Sequence, residues 1–164
     1  MRSASIAIKP PSSNSASMAD VLASEQQVEQ IYIGLAFRFP EQLGQSPDVV
    51  RIRRSNSHLL EPEFAWLAPQ VDSGGVCLAI IAGGVAVSAC WSSRSGGRVC
   101  EAGVETLSEH RGRRYATAVV RGWASEVRRL GRTPLYSTSW ENTASLRIAE
   151  RLDLVTYATD FSIR

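Results

Sequence analysis

Residues 109–127 read EHRGRRYATAVVRGWASEV, and the fold turns on how they are read. Before Glu109 the chain alternates like a strand. From Ala116 onward the apolar residues return at helical spacing, at Val119, Val120, Trp123, Val127 and Leu130. Gly131 stands where such a helix would take a left-handed closing residue. Between the two periods lies a turn carrying His110, Arg111, Arg113 and Arg114. Positive charge at a helix start opposes the helix dipole, at a cost of about 0.3–1 kcal/mol. An anion seated on the exposed N–H groups of the first turn would relieve that cost. Gly112 and Ala116 keep the approach to those amides open, and arginine offers paired donors to phosphate. Arginines at a loop–helix junction are also often merely solvated, so the turn alone leaves both readings open.

Working outward, residues 134–140 (PLYSTSW) read as a strand, 141–152 (ENTASLRIAERL) as a helix and 154–163 (LVTYATDFSI) as a last strand. Upstream, residues 76–91 (VCLAIIAGGVAVSACW) are two apolar runs joined by Gly83-Gly84, a hairpin signature. Residues 92–97 (SSRSGG) read as a second turn and 98–107 (RVCEAGVETL) as the third strand of an antiparallel run. Residues 31–39 (IYIGLAFRF) alternate as a strand, following a short helix that begins near Ala23. Residues 60–71 (LEPEFAWLAPQV) predict a short helix with Pro62 at its first position. The order predicts an α+β, layered fold with a mixed sheet. The strand–helix–strand unit around Trp123 makes its two strands parallel neighbours by a right-handed crossover.

The totals set bounds. The 164 residues, 44% hydrophobic, suffice for one domain with a real core. Residues 1–22, rich in Ser and Ala, read as a disordered tail, and residues 23–164 as the domain. No run approaches the roughly 18 apolar residues of a membrane span, which argues against a membrane partner. The three cysteines, Cys77, Cys90 and Cys100, show no metal-site or disulfide spacing and fit a reducing cytoplasm. A net charge of +2 argues against nucleic acid as partner. A stripe of Arg111, Arg113, Arg114, Arg121, Arg128, Arg129 and Arg132 keeps a nucleic-acid-binding reading as a rival. The basic cluster at residues 51–56 (RIRRSN) reads as a solvated loop.

EHRGRRYATAVVRGWA resembles the acetyl-CoA signature of the GCN5-related N-acetyltransferase (GNAT) superfamily, Arg/Gln-x-x-Gly-x-Gly/Ala after a strand and at the head of a helix. Arg111 matches its first position and Ala116 its last. Residues 101–110 (EAGVETLSEH) resemble the family's fourth strand, and residues 134–157 its fifth strand and following helix. The resemblance covers a little over half the chain, from about Val76 onward. It implies a GNAT-like mixed, mostly antiparallel sheet flanked by helices, with acetyl-CoA as acyl-donor cosubstrate and an amine as acceptor. It also implies that Val104 and Thr106 pair through their backbones with the pantetheine arm. The turn and first helical residues, Arg111, Gly112, Arg113, Arg114, Tyr115, Ala116 and Thr117, would hold the diphosphate. Asn142 would stand near the thiol end. Three positions depart from the family pattern: Arg114 and Asp153 replace glycines, and Ala149 replaces the tyrosine that often protonates the departing thiolate. That pattern keeps a non-catalytic acyl-CoA-binding module as a second rival.

Acyl transfer to an amine needs a base for the ammonium, fixed donors for the carbonyl oxygen, and a proton or dipole for the leaving thiolate. It needs no metal. Glu101 and Glu105 are the base candidates. They sit four residues apart on one strand and so share a face, with Gly103 leaving room between them. The resemblance favours Glu101, since GNATs often carry a base carboxylate on this strand, and places an oxyanion donor at the N–H near Val104. Tyr157 is the favoured substitute acid, because the last strand should pass near the split in the sheet; Tyr136, Ser137 and Ser139 are alternatives. Trp91 and Trp140 read as core or rim packing, Trp123 as core, and Cys100 as facing away from Glu101. The acceptor's identity and the oligomeric state, a homodimer among the options, stay open.

Overall fold

The structure is a computed structural model and describes residues 31–46, 48–73 and 75–163. The expected tail and the short helix from Ala23 lie outside the described residues. The elements in order are β1 (Ile31–Arg38), β2 (Val50–Ile52), α1 (Ala68–Asp72), β3 (Cys77–Ala82), β4 (Val85–Gly96), β5 (Val99–Thr106), α2 (Tyr115–Arg129), β6 (Thr133–Ser139), α3 (Thr143–Arg151) and β7 (Val155–Ile163). Short 3₁₀ turns span Arg54–Leu60, Ala65–Leu67 and Ser108–His110.

The strands form one sheet in the order β2-β3-β4-β5-β6-β1-β7. Every neighbouring pair is antiparallel except β5 and β6, which run parallel on either side of the α2 crossover. The fold is thus the mixed, mostly antiparallel α+β architecture that the sequence implied. One placement was invisible in the sequence. The first described strand, β1, lies between β6 and β7 and bonds to both.

Alternation along the strands divides the core between the two faces of the sheet. On one face Leu35, Phe37, Leu78, Cys90, Cys100, Ala102 and Tyr136 meet Val119, Val120, Trp123 and Val127 of α2 and Ile148, Ala149 and Leu152 of α3. Trp123 is fully buried there, with its indole N–H donating to Ser92 Oγ at 3.3 Å. Gly122 lets α2 come close: a Cβ at that position would lie 3.1 Å from Leu78 Cδ2 and 3.3 Å from Val49 Cγ1. On the other face Ile52, Cys77, Ala79 and Ala89 are covered by Leu60, Phe64 and Leu67.

Three local expectations need correction. The turn anticipated over residues 92–97 is shorter, because β4 runs on to Gly96 and only Gly97 and Arg98 turn. Ser92, Arg94 and Ser95 each find a partner on β5, so the polar run stays in the ladder. The helix expected to start at Pro62 is instead a turn, a 3₁₀ segment and the five-residue α1, where the proline in the first turn is Pro69. Residues 51–56 are not a solvated loop. Arg51 lies in β2, and its guanidinium pairs with Glu126 of α2.

Candidate functional site

The parallel ladder between β5 and β6 lasts three rungs, from Val99 opposite Thr133 to Glu101 opposite Leu135. Beyond them β6 turns to β1, pairing it through Leu135–Ser139, and β5 keeps only its partnership with β4. The sheet therefore opens. Leu107 N–H donates to Val87 O, and Ser88 Oγ and Ser93 Oγ donate to the carbonyls of Glu105 and Glu101, which fixes the odd-numbered residues of β5 toward β4. By alternation the N–H and C=O groups of Val104 and Thr106 face the opening. These are the two residues expected to bind through their backbones.

The opening leads to the start of α2. Gly112 and Arg114 both have left-handed backbone, at φ 78° and 64°, and together they turn the chain into the helix. This conformation explains why the family prefers glycine where Arg114 stands. No side chain caps α2, its first turn holds no acidic residue, and its first internal bond runs from Ala118 N–H to Arg114 O. The amides of Tyr115, Ala116 and Thr117 therefore point outward without an intrahelical acceptor. Thr117 is 7% exposed, yet among the described residues its Oγ1 has no partner, and neither does the buried Nδ1 of His110, whose ring stacks on Tyr115.

A groove of about 590 Å³ joins these features. Val104, Glu105 and Thr106 form one wall, His110 to Thr117 without Arg113 the end, and Asn142 to Arg151 of α3 the other wall. Arg113 is exposed and does not line it. Two other expected residues already have local work. Arg111 Nε donates to the Thr106 carbonyl at 3.2 Å, tying the turn back to β5. Asn142 Oδ1 accepts from Ser145 N–H at 3.0 Å and caps α3.

On the opposite face a smaller cleft of about 240 Å³ is lined by Ala36, Arg94, Glu101, Leu135, Ser137, Tyr157 and their neighbours. Ser137 Oγ donates to Glu101 Oε1, and Arg94 Nη1 lies 3.7 Å from Glu101 Oε2. Tyr157 reaches this cleft from an irregularity in β7, where Ala36 pairs with Ala158 and Phe37 with Thr156, leaving Tyr157 as the extra residue. A bulge re-aims a side chain in this way. Glu101 and Glu105 do share a strand face, but they belong to different cavities: Glu101 to this cleft and Glu105 to the groove. The room above Gly103 is filled. Trp91 Cε2 would stand 2.6 Å from a Cβ there, and the exposed Trp66 packs edge-on against Trp91 at 4.9 Å. Trp91 was readable as rim packing; its contact with Trp66 was not, because the two residues are distant in the sequence.

Ala149 is buried in the core under α3, so the proton donor usual at that position has no counterpart. All three cysteines are free and buried. Burial pushes the Cys77 thiol up to about 12 and raises Cys90 as well. Among the described residues no three His, Cys, Asp or Glu side chains gather as a metal-ligand set, and no helix is long and apolar enough to cross a membrane.

The fold recurs in solved structures. A GNAT-family protein of Novosphingobium aromaticivorans superposes with a TM-score of 0.66 at 18% identity, over 84% of this chain and 65% of that one. A GCN5-related N-acetyltransferase-like protein of Streptococcus suis gives 0.67 at 16% identity, over 89% and 67%. This chain thus spans about two thirds of the length of those two. YncA of Salmonella typhimurium, solved with its cofactor acetyl-CoA, gives 0.53 at 17% identity, over 67% and 80%. These likenesses establish the fold. No curated protein matches the sequence. The GNAT acetyltransferase family profile matches residues 68–158, which is more than half of the chain and takes in the opening, the uncapped turn and both walls of the groove, and so the chain belongs to the GNAT acetyltransferase family.

Proposed function

We propose that this protein is an acetyl-CoA-dependent N-acetyltransferase, that residues 23–164 form one such domain, and that it acts in the cytoplasm. One observation carries the reading: the unpaired β5 edge at Val104 and Thr106 runs straight into the uncapped N-terminus of α2. The residues present fit acetyl-CoA. The orphaned Thr117 Oγ1 and the free amides of Tyr115, Ala116 and Thr117 suit a diphosphate, and Gly112 has no atom within 4 Å of a would-be Cβ. The acetyl-CoA of YncA supports the same donor. When bound, acetyl-CoA supplies an acetyl carbonyl activated as a thioester.

The chain's own residues divide the remaining work between the two faces of the sheet. Val104 and Thr106 hold the arm of the donor by backbone bonds; the Thr106 carbonyl, already bonded to Arg111, has a second lone pair to offer. The N–H of Val104 faces the opening, where charge develops on the acetyl oxygen. Glu101 takes the proton of the acceptor ammonium, with Ser137 and Arg94 holding its carboxylate in place. Tyr157, in the same cleft, returns a proton toward the departing thiolate in place of the residue missing at Ala149. Glu105 stays at the rim of the groove. The arginine stripe gives little to a nucleic-acid reading, because Arg121, Arg128 and Arg129 are bonded within the chain to Gln45 O, to Phe39 O and Glu41 O, and to Glu126.

Calorimetry with acetyl-CoA, followed by thiol release against a panel of primary amines, tests the proposal. The buried cysteines keep the protein's own thiol background low. Saturable binding with amine-dependent thiol release is expected. Binding without turnover on any amine would make the protein an acyl-CoA-binding module and overturn the enzymatic reading.

A further inference from the structure

The groove has a cationic wall that the diphosphate cradle leaves unused. Arg147 and Arg151 stand four residues apart on α3 and so project from one side of the helix, and both line the groove across from α2. Among the described residues neither makes a hydrogen bond or an ion pair. Two like charges at this spacing cost a helix a few tenths of a kcal/mol. The Arg129–Glu126 pair on α2 shows the local solution this chain uses when an arginine is structural. Among the described residues Glu105 is the only carboxylate lining the groove, against the guanidinium groups of Arg111, Arg114, Arg147 and Arg151. Charge that is not neutralised from within the chain calls for an anion from outside it. The uncapped α2 amides account for one such group, and the α3 arginines form a separate, side-chain-built locus.

We infer that Arg147 and Arg151 form a second phosphate subsite, which takes a phosphomonoester on the nucleotide end of the donor. The inference rests on the acetyl-CoA reading above and deepens it: the protein distinguishes CoA from 3′-dephospho-CoA. Guanidinium groups suit a dianionic phosphomonoester because each can donate two parallel N–H bonds to its oxygens. Both side chains are exposed, so replacing them leaves the fold intact.

The test is calorimetric titration of CoA and 3′-dephospho-CoA into three proteins: the unaltered chain, the Arg147→Gln/Arg151→Gln double variant, and an Arg38→Gln/Arg98→Gln control. The control removes equal charge from exposed positions outside the groove. The unaltered chain and the control should bind CoA about tenfold more tightly than the dephospho form, as one charge-assisted contact is worth. The double variant should bind the two alike. Equal affinities in the unaltered chain, or an undiminished preference in the double variant, would overturn the subsite and leave the donor assignment standing. A preference lost equally in the control would reduce it to a net-charge effect and also overturn it. Failure of the unaltered chain to bind either form would overturn the donor assignment and the subsite together.

Discussion

Ser137 Oγ donates to Glu101 Oε1 beside the last rung at which β5 and β6 still pair. The carboxylate is thereby fixed at the vertex of the opening and not out on the free edge of β5. The two glutamates on this strand face thus differ in position, and the proposed mechanism makes Glu101 the base. Glu101→Gln keeps the size and the bond to Ser137 but cannot accept a proton. It should lower kcat about 10²–10⁴-fold with acetyl-CoA affinity unchanged. Glu105→Gln should leave kcat within a few-fold. Thiol-release kinetics with saturating donor decide between them, and equal losses in both variants would remove Glu101 from the role.

The cradle is tested inside the helix. Gly112 is a poor place for a new side chain, since its φ of 78° would strain any other residue and mix a folding defect with a binding one. Ala116 lies in the first turn of α2 with ordinary helical backbone and lines the groove. An acidic residue near a helix start favours the helix dipole. Ala116→Glu should therefore keep or slightly raise stability while it sets a carboxylate against the donor's diphosphate. Acetyl-CoA affinity should fall at least about 100-fold by calorimetry, roughly two charge-assisted bonds' worth. Undiminished affinity would place the donor elsewhere.

Much of this site was legible because its parts are local. The change of period at Tyr115, the glycine beside it and the lack of a capping residue all sit within a few positions of sequence. So do the carboxylates on β5 and the closing Gly131. What stayed hidden depends on contacts distant in the chain. The insertion of β1 between β6 and β7 leaves no trace in the alternation of residues 31–39, which would read the same at a sheet edge. The filling of the space over Gly103 requires knowing that Trp91 pairs opposite it. Tyr157 was named for its hydroxyl and its strand, but the irregularity that brings it to the cleft Glu101 lines is a property of pairing with β1. The loops over residues 54–72 misled because two prolines punctuate one short apolar run, and only packing against Cys77, Ala79 and Ala89 selects which of them starts a helix.

Two left-handed residues store removable strain. Asp153 has φ 51° and occupies the closing position of α3, where Leu154 N–H bonds to Ala149 O at 2.9 Å and Asp153 N–H to Glu150 O at 3.1 Å. Gly131 has the same place after α2, with Arg132 N–H on Val127 O and Gly131 N–H on Arg128 O. The comparison shows what α3 lacks. Asp153→Gly should raise stability by about 0.5–1 kcal/mol in denaturant unfolding. Arg114→Gly should do the same, but it also removes a guanidinium from the groove and should weaken acetyl-CoA binding. Arg114→Ala, which keeps the strain and loses the charge, should weaken binding without the gain in stability.

Glu126 links the edge of the sheet to α2 through ion pairs with Arg51 of β2 and Arg129 of its own helix. The Arg129 hydrogen bond holds its carboxyl below the ordinary value of 4.5 against the opposing cost of burial, and the charges of Arg51, Arg129 and Arg53 add to the lowering. A lowered folded-state value means that the carboxylate is preferred in the native state. Its stabilisation is complete above the value of the unfolded chain and is lost as pH falls through the folded one. The sensitive window therefore lies below about pH 4.5. Glu126→Gln should cost about 1 kcal/mol at neutral pH, the scale of a partly exposed ion pair. The gap between the two proteins should hold constant down to about pH 5 and then close in acid, as the unaltered chain loses the advantage that the variant never had. Denaturant unfolding of both proteins across pH 3–7 measures it, and a gap that widens toward acid would show that Arg51 and Arg129 do not stabilise this carboxylate.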